Sequence, residues 1–598
     1  MARRVRGVAA AVATLVAIAA LAVVEPAAAA PTQEPFVSSE FRVPMGDGVE
    51  VEVRLGGRGP LVDGHLPARP VVAEFSPYGQ GCCAELAGPE YNYLQVHIRG
   101  TGESDGSFDA LGPRSQQDVV EVLGWACGQP WSNGRIGLYG FSASAIMAYN
   151  SLHLELPCVE AAVLGAGTHE LYRDLLYPGG IPNLLPGTGV LALIGAPSLL
   201  AAPDRLGRAP LSALTTLQGM LDVGAGYLQH PTLDAWWRER GMRGDVNDLP
   251  ILMVTGIFDV ESRGPFQAFQ ELRDDGAHLL VVGAHDGVPA GSGGADGERL
   301  RWYDQFLRDV PNGAAAEPAV RLWLSDGDRA EMLAGRFVTA AGDDWPLPGT
   351  RWAALALDAT RSGTATSLND GSLTLGPPAP GVQPYLSLPS LPSATDPHTS
   401  SLLGIFNGSP TLTDMTLVEP LGLSYTTQPF TADVVAVGPA SLELVLSSTA
   451  PETDIYAVIS DVAPDGTAHP VATGRLRTAY PGIDVDRSLV HDTGAVVQPY
   501  GRYDEPDPAA IGEERRYHVE LWPIGNRFRA GHRLRLHVVG ASAYHAPSLP
   551  ALNSVRLGEG ESRLLLPLLP GTDLAAAMGA ASAAPIVAPA ARAPASLL

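Results

Sequence analysis

Residues Arg135–Asn150 read RIGLYGFSASAIMAYN, and this stretch decides the fold. The apolar run Ile136–Tyr139 predicts a buried strand, Gly140–Ser144 a tight corner, and Ala145–Asn150 a helix. A sharp strand-to-helix corner lifts its serine, Ser142, clear of the sheet. The helix N-terminus that follows faces the negative charge that develops during acyl transfer. Ser144 stands where the G-x-S-x-G form of this corner has its second glycine, a position that needs a small side chain because helix and strand approach closely there. An ordinary strand-turn-helix connection would read the same way locally, so the surrounding chain has to carry the distinction.

Outward from that corner, residues 69–312 alternate strand-like and helix-like segments, as in an α/β domain with a mostly parallel sheet. Pro70–Ser76, Tyr93–Ile98, Val159–Leu164, Ile251–Phe258 and Leu279–Gly283 read as strands. Gln116–Cys127, Phe266–Leu272 and Leu300–Val310 read as helices. From about 170 to 248 the rhythm breaks into a helix-rich insertion, placed as a cap over the carboxyl ends of the strands. Beyond about 313 the texture becomes short alternating segments between Pro, Gly and Asp turns, the pattern of an antiparallel sandwich or jelly roll. Residues 576–598 are Ala- and Pro-rich and read as a disordered tail.

A nucleophilic serine needs a base and an acid that orients the base, and in α/β hydrolases the chain order is Ser, Asp or Glu, His. Here Ile251–Phe258 ends at Asp259, and Leu279–Gly283 ends two residues before His285. His285 would take the Ser142 proton and return it to the leaving group, with Asp259 holding the imidazole. Taken singly, Asp259 could cap a helix and His285 could be a solvated loop residue. Glu261 and His278 compete for the two roles, although His278 precedes its strand and falls at the wrong edge. The oxyanion requires donors as well. The Ala143 backbone N–H is one, and the Tyr78 hydroxyl, in the loop after an early strand, could be the other.

Arg3, Arg4 and Arg6 precede an apolar stretch from Val8 to Val24, and Ala28–Ala30 offers a small-residue cleavage site, so residues 1–30 read as a secretory signal. The alternative is an uncleaved anchor, since the stretch is close to the ~20 residues that span a bilayer. With the signal removed, no stable membrane association is expected. The formal charge is −25, which repels phosphate backbones and excludes nucleic acid as a partner. All 39 basic residues are arginine; without lysine, a Ser-Lys dyad, a Schiff base and a P-loop are ruled out. The four cysteines, Cys82, Cys83, Cys127 and Cys158, allow two disulfides. The adjacency of the first two suggests bridges from that pair to Cys127 and Cys158. Their spacing is not that of a zinc site, and no metal or organic cofactor is called for.

Several strings together resemble the cocaine esterase and X-Pro dipeptidyl-peptidase family of serine hydrolases. SPYG (76–79) is similar to its tyrosine-bearing oxyanion loop. HIRGTGESDGSF (97–108) is similar to its R-G-x-G-x-S-x-G segment, and WACGQPWSNGRIGLYGFS (125–142) to its long nucleophile block. RWYDQFL, VRLWLSDGDR and DDWPLPGT resemble the passage out of the catalytic domain. The stretches 420–466 and 521–538 resemble the family's carboxyl-terminal jelly roll.

The resemblance implies an α/β-hydrolase core (31–312) with a helical cap and a jelly-roll β domain (313–575). It also implies a Ser-Asp-His triad at Ser142, Asp259 and His285, with Tyr78 and the Ala143 amide at the oxyanion. The chain departs from the family in reading G-F-S-A-S-A for G-x-S-Y-x-G, and G-A-H-D-G where the family has G-P-W-x-H. The expected activity is hydrolysis of a small-molecule ester or amide, or release of X-Pro dipeptides from a peptide. A catalytically inactive secreted binding protein on the same scaffold is the competing expectation. Leu184–Leu185, Leu191–Ile194 and Trp236–Trp237 in the cap hint at a lipophilic acyl group.

Overall fold

The computed structural model describes residues 36–78, 89–195, 197–198, 210–244, 246, 248–282, 294–326, 337–388, 414–417, 419–491 and 493–579. Two large sheets dominate it. The first has ten strands: β1 (Phe36–Pro44), β2 (Glu50–Arg58), β3 (Arg69–Ser76), β4 (Asn92–His97), β5 (Ser132–Phe141), β6 (Val159–Gly165), β7 (Ile251–Thr255), β8 (His278–Val281), β9 (Val320–Leu324) and β10 (Val338–Gly342). Their spatial order is β1-β2-β4-β3-β5-β6-β7-β8-β9-β10. The run from β4 through β9 is parallel, and the strands at both margins are antiparallel. Parallel strands are covered on both faces, and alternate side chains of β3 show it. Val71, Ala73 and Phe75 join the main core, whereas Val72 joins a second cluster with Trp302, Tyr303 and Leu307.

Helices α1 (Pro113–Cys127), α2 (Ala143–Ser151), α3 (Pro210–Gln229), α4 (Arg263–Leu272) and α5 (Gly294–Leu307) surround this sheet or extend from it. Proline stands at the start of α1, where its missing N–H costs nothing. The Asp109 carboxylate accepts the Ser115 N–H at 3.1 Å, satisfying another donor of that first turn. Val119, Val122, Leu123 and Ala126 supply the buried face at helical spacing.

The helix-rich insertion is present among the described residues as a π-turn at Tyr172–Leu176, short helices at Leu184–Val190 and Ala235–Arg238, and α3. Trp237 is buried in it against Tyr172, Tyr177 and Tyr227, at centroid separations of 5.4, 5.7 and 5.7 Å. Trp236 stacks on His230. Trp237 therefore packs inside the cap, with Trp236 half-buried beside it.

The second sheet has eleven strands between Arg351 and Leu568. The long strand Val434–Ser448 pairs with Arg515–Phe528, Ala551–Leu557 and Arg563–Leu568, so the layer wraps back on itself as a jelly roll does.

Three expectations need correction. The first sheet does not stop at 312, because β9 adds in parallel beside β8 and β10 pairs antiparallel with β9. The tail does not begin at 576. Leu574–Ala577 is a helix capped by Asp573, with Ala577 buried and its carbonyl accepting the Thr431 N–H at 2.8 Å. The disulfide joins Cys127 to Cys158, with Cα atoms 6.2 Å apart, and not to the Cys82–Cys83 pair. Cys127 ends α1 on its way to β5, and Cys158 immediately precedes β6, so both lie at the amino ends of neighbouring parallel strands. Cys82 and Cys83 follow β3, whose carboxyl end is at the opposite edge of the sheet, and lie outside the described residues along with residues 1–35 and 580–598.

Candidate active site

Ser142 sits between β5 and α2 with φ 55° and ψ −123°, a conformation that few non-glycine residues adopt. Holding it there costs on the order of 1–3 kcal/mol, and the surroundings enforce it. Its N–H donates to the Gly165 carbonyl at 2.9 Å, and its own carbonyl accepts the Ile146 N–H at 3.0 Å, so α2 starts at once. Space is equally tight. A Cβ on Gly140 would lie 2.5 Å from the Ala145 backbone, and one on Gly167 would lie 3.0 Å from the Ser142 carbonyl oxygen. Both glycines let backbone pass against the corner.

Tyr78 lies two residues beyond β3, the strand beside β5. Its hydroxyl oxygen accepts the Ala143 N–H at 3.0 Å. Burial pushes the phenol up to about 12, against the opposing hydrogen bonds of Ser142 and the Ala143 amide. The phenol is therefore neutral near pH 7 and keeps a proton to donate. The phenol O–H and the Ala143 N–H, which here donates to the phenol oxygen, thus meet beside Ser142, where an oxyanion would accept from both.

Asp259 is fully buried four residues past β7, and its Oδ1 accepts the Glu261 N–H at 2.8 Å. β5, β6, β7 and β8 are consecutive in the sheet, so the ends of β5 and β7 share one edge. His285 lies outside the described residues; β8, the strand before it, ends at Val281 on that same edge.

Of the competitors, His278 is the first residue of β8, at the opposite edge, with its ring 5.0 Å from that of Trp302. Glu261 is buried beside Asp259, and its Oε2 has no hydrogen-bond partner. Burial, then the charges of Asp259 and Asp174, hold its carboxyl well above the usual carboxylate range. A carboxyl that holds its proton this strongly is a poorer partner for an imidazolium than an ionised one.

Two networks around the corner were not anticipated. Beneath it, the Ser144 hydroxyl accepts the Phe141 N–H at 2.7 Å and donates to Glu74 Oε1 at 2.7 Å, while the Tyr93 hydroxyl donates to Glu74 Oε2. A glutamate inside the apolar run of β3 was the available signal. Behind it, Arg263 pairs with Asp174 of the cap at 2.6 Å and with Glu520 of the β domain at 2.9 Å. Three distant segments meet there, and no local pattern announces them. Among the described residues no group of three or more His, Cys, Asp or Glu is placed to hold a metal ion.

Comparison with known proteins agrees with this architecture. Residues 50–286 match the X-Pro dipeptidyl-peptidase (S15 family) profile, and residues 312–564 match that of the X-Pro dipeptidyl-peptidase C-terminal non-catalytic domain. The chain is 24% identical over 557 residues to the cocaine esterase of Rhodococcus sp. (strain MB1 Bresler), covering 84% of this chain and 90% of that protein. It is 23% identical to a putative serine esterase of Mycobacterium bovis, over 77% of this chain and 80% of the other. Among solved structures, a CocE/NonD family hydrolase from Staphylococcus aureus superposes with a TM-score of 0.69 at 19% identity, over 89% of this chain and 94% of that one. An alpha-amino acid ester hydrolase superposes with a TM-score of 0.69 at 16% identity, over 91% and 98%. These two structural likenesses speak for the fold.

Proposed function

The chain belongs to the cocaine esterase and X-Pro dipeptidyl-peptidase family of hydrolases, and on that premise we propose that it is a secreted serine hydrolase cleaving a carboxylic ester or amide through an acyl-enzyme. The observation that carries the reading is the corner itself: Ser142 at φ 55°, with the Tyr78 hydroxyl and Ala143 N–H converging beside it. In this mechanism His285 removes the Ser142 proton as Oγ attacks the carbonyl carbon. Tyr78 and the Ala143 amide take up the charge on the oxyanion. His285 then protonates the departing alcohol or amine, and water repeats the sequence to release the acid. Asp259 fixes the imidazole tautomer and stabilises its protonated form. Secretion follows from the reading of residues 1–30.

Hydrolysis of p-nitrophenyl esters of graded chain length tests this directly. Wild type should turn over. Ser142→Ala should lose on the order of a millionfold in kcat, as triad serines do. Turnover surviving in Ser142→Ala would sink the mechanism. Inactivity of wild type on esters and on Xaa-Pro amides, with no fluorophosphonate labelling, would leave the binding-protein alternative.

Release of X-Pro dipeptides is the second reading, and Glu261 favours it. A free α-amino group brought beside Asp259 would take up the Glu261 proton and pair with the resulting carboxylate, whose Oε2 is otherwise unpartnered. On that reading Glu261→Gln raises KM for an Xaa-Pro p-nitroanilide and leaves KM for a simple ester unchanged.

A further inference from the structure

Glu74 is a buried carboxyl in the middle of a strand whose neighbours, Ala73 and Phe75, are core residues. Burial pushes its carboxyl up, in spite of the hydroxyls of Tyr93 and Ser144 and the charges of His97 and Arg299 nearby. Burying a carboxyl costs free energy that an apolar residue at this strand position would not incur. The hydrogen bonds show what is obtained in return. Glu74 belongs to β3, the strand that leads four residues later to Tyr78. Ser144 directly follows Ala143 and clamps the corner by accepting the Phe141 N–H. Glu74 Oε1 joins the two at 2.7 Å, and Oε2 is held by Tyr93 on β4, so β3, β4 and the corner are pinned at one carboxyl. The same contact accounts for a serine where the corner pattern has glycine, because glycine there would leave Glu74 Oε1 without a donor.

We propose that Glu74, acting through Ser144, is a positioning residue that sets the separation between the Tyr78 hydroxyl and the Ala143 amide. This rests on the reading of Ser142 as an acyl-transfer nucleophile. Oxyanion donors act only within a narrow distance range, and a shift near 1 Å costs about a hundredfold. Glu74 touches neither substrate nor reacting atoms; its effect passes through the geometry of the two donors.

The test is steady-state hydrolysis of a p-nitrophenyl ester by the full chain carrying Glu74→Gln, Glu74→Val, Ser144→Ala or Glu74→Val/Ser144→Ala, each also combined with Tyr78→Phe. Glu74→Val and Ser144→Ala should each lower kcat by about 10- to 100-fold with KM held within about twofold. The double variant should lose no more than the worse single one, because the two residues act as one unit. Glu74→Gln still bonds both hydroxyls and should keep roughly half of kcat or more. With Tyr78→Phe already present, Glu74→Val should cost less than about threefold, since one of the two positioned donors is gone.

An unchanged kcat in folded Glu74→Val overturns the proposal. So does a loss of the same size with and without Tyr78, or a Glu74→Gln as damaged as Glu74→Val. If Glu74→Val does not fold, Ser144→Ala and Glu74→Gln decide alone, since they remove one hydroxyl and one charge. Ser142→Ala separates the two levels. If it stays active, the acyl-transfer reading fails and takes this proposal with it; if it is dead while Glu74→Val is fully active, only the positioning role falls.

Discussion

At Ser142 the backbone is strained, Gly140 and Gly167 leave no room for a Cβ, and the helix begins on the serine's own carbonyl. The surrounding residues divide into those that would meet charge and those that set distances. Tyr78 belongs to the first kind. On the proposed mechanism Tyr78→Phe removes one of two oxyanion donors, and kcat on p-nitrophenyl esters should fall by about 100- to 1000-fold, the cost of losing such a donor, with little change in KM. Equal losses in kcat and substrate affinity would instead mean that the phenol shapes the pocket. Glu261 can be examined through stability. Its folded pKa lies above the ordinary value of 4.5, so the stability linked to its proton is fully present below that value and is lost as pH rises through the raised one. Glu261→Gln should therefore melt higher than wild type at pH 8 and match it at pH 4; a difference that does not vary with pH would contradict this assignment of charge. Ser142 was legible in the sequence because a strand-corner-helix is a local pattern. The partnership of Ser144 with Glu74 was not, since it spans 70 positions and depends on two strands lying side by side.

At the level of elements, the alternation of apolar runs and helical periodicity located β3 through β8 and α1, α2 and α4 to within a few residues, and α5 with its start six residues late. Both quantities are set by neighbours in sequence. β1, β2, β9 and β10 were not read from the pattern. β1 and β10 are sheet-margin strands with mixed exposure, β2 is mostly buried, and only pairing gives these strands their identity. The disulfide makes the same point. The adjacency of Cys82 and Cys83 suggested one connectivity, and the proximity of the carboxyl end of α1 to the amino end of β6 created another. Closing a loop of 31 residues restricts the unfolded chain by roughly 3–4 kcal/mol on the chain-entropy account. Cys127→Ser/Cys158→Ser should lower the unfolding free energy by about that amount in urea titrations, with ester hydrolysis by the folded enzyme retained, because the bridge lies at the edge of the sheet away from Ser142. A variant as stable as wild type would show that the bridge adds nothing beyond the packing around it.

On the scale of the whole molecule, the α/β domain, the cap and the jelly roll are joined by ion pairs, one set buried and one partly exposed. Arg263 pairs with Asp174 and Glu520, and Asp326 receives Arg527 and Arg529. Arg263→Ala would leave two carboxylates in a dry interface without their cation, which costs about 3–5 kcal/mol when one partner of a buried pair is removed. Urea unfolding of that variant should show the loss, and a cost near zero would mean that water reaches the junction. The sequence by itself determined the α/β core, the change to an all-β domain, the corner at Ser142 and the order Ser142, Asp259, His285, because these are written in local periodicity, turn chemistry and chain order. Tertiary structure alone decided that the first sheet runs on through β10, that Cys127 meets Cys158, that Trp237 packs inside the cap, and that Glu74 and Arg263 tie separate segments together. Those outcomes depend on which distant surfaces come into contact, and a buried carboxyl or guanidinium finds its partner only once the surrounding elements have excluded water.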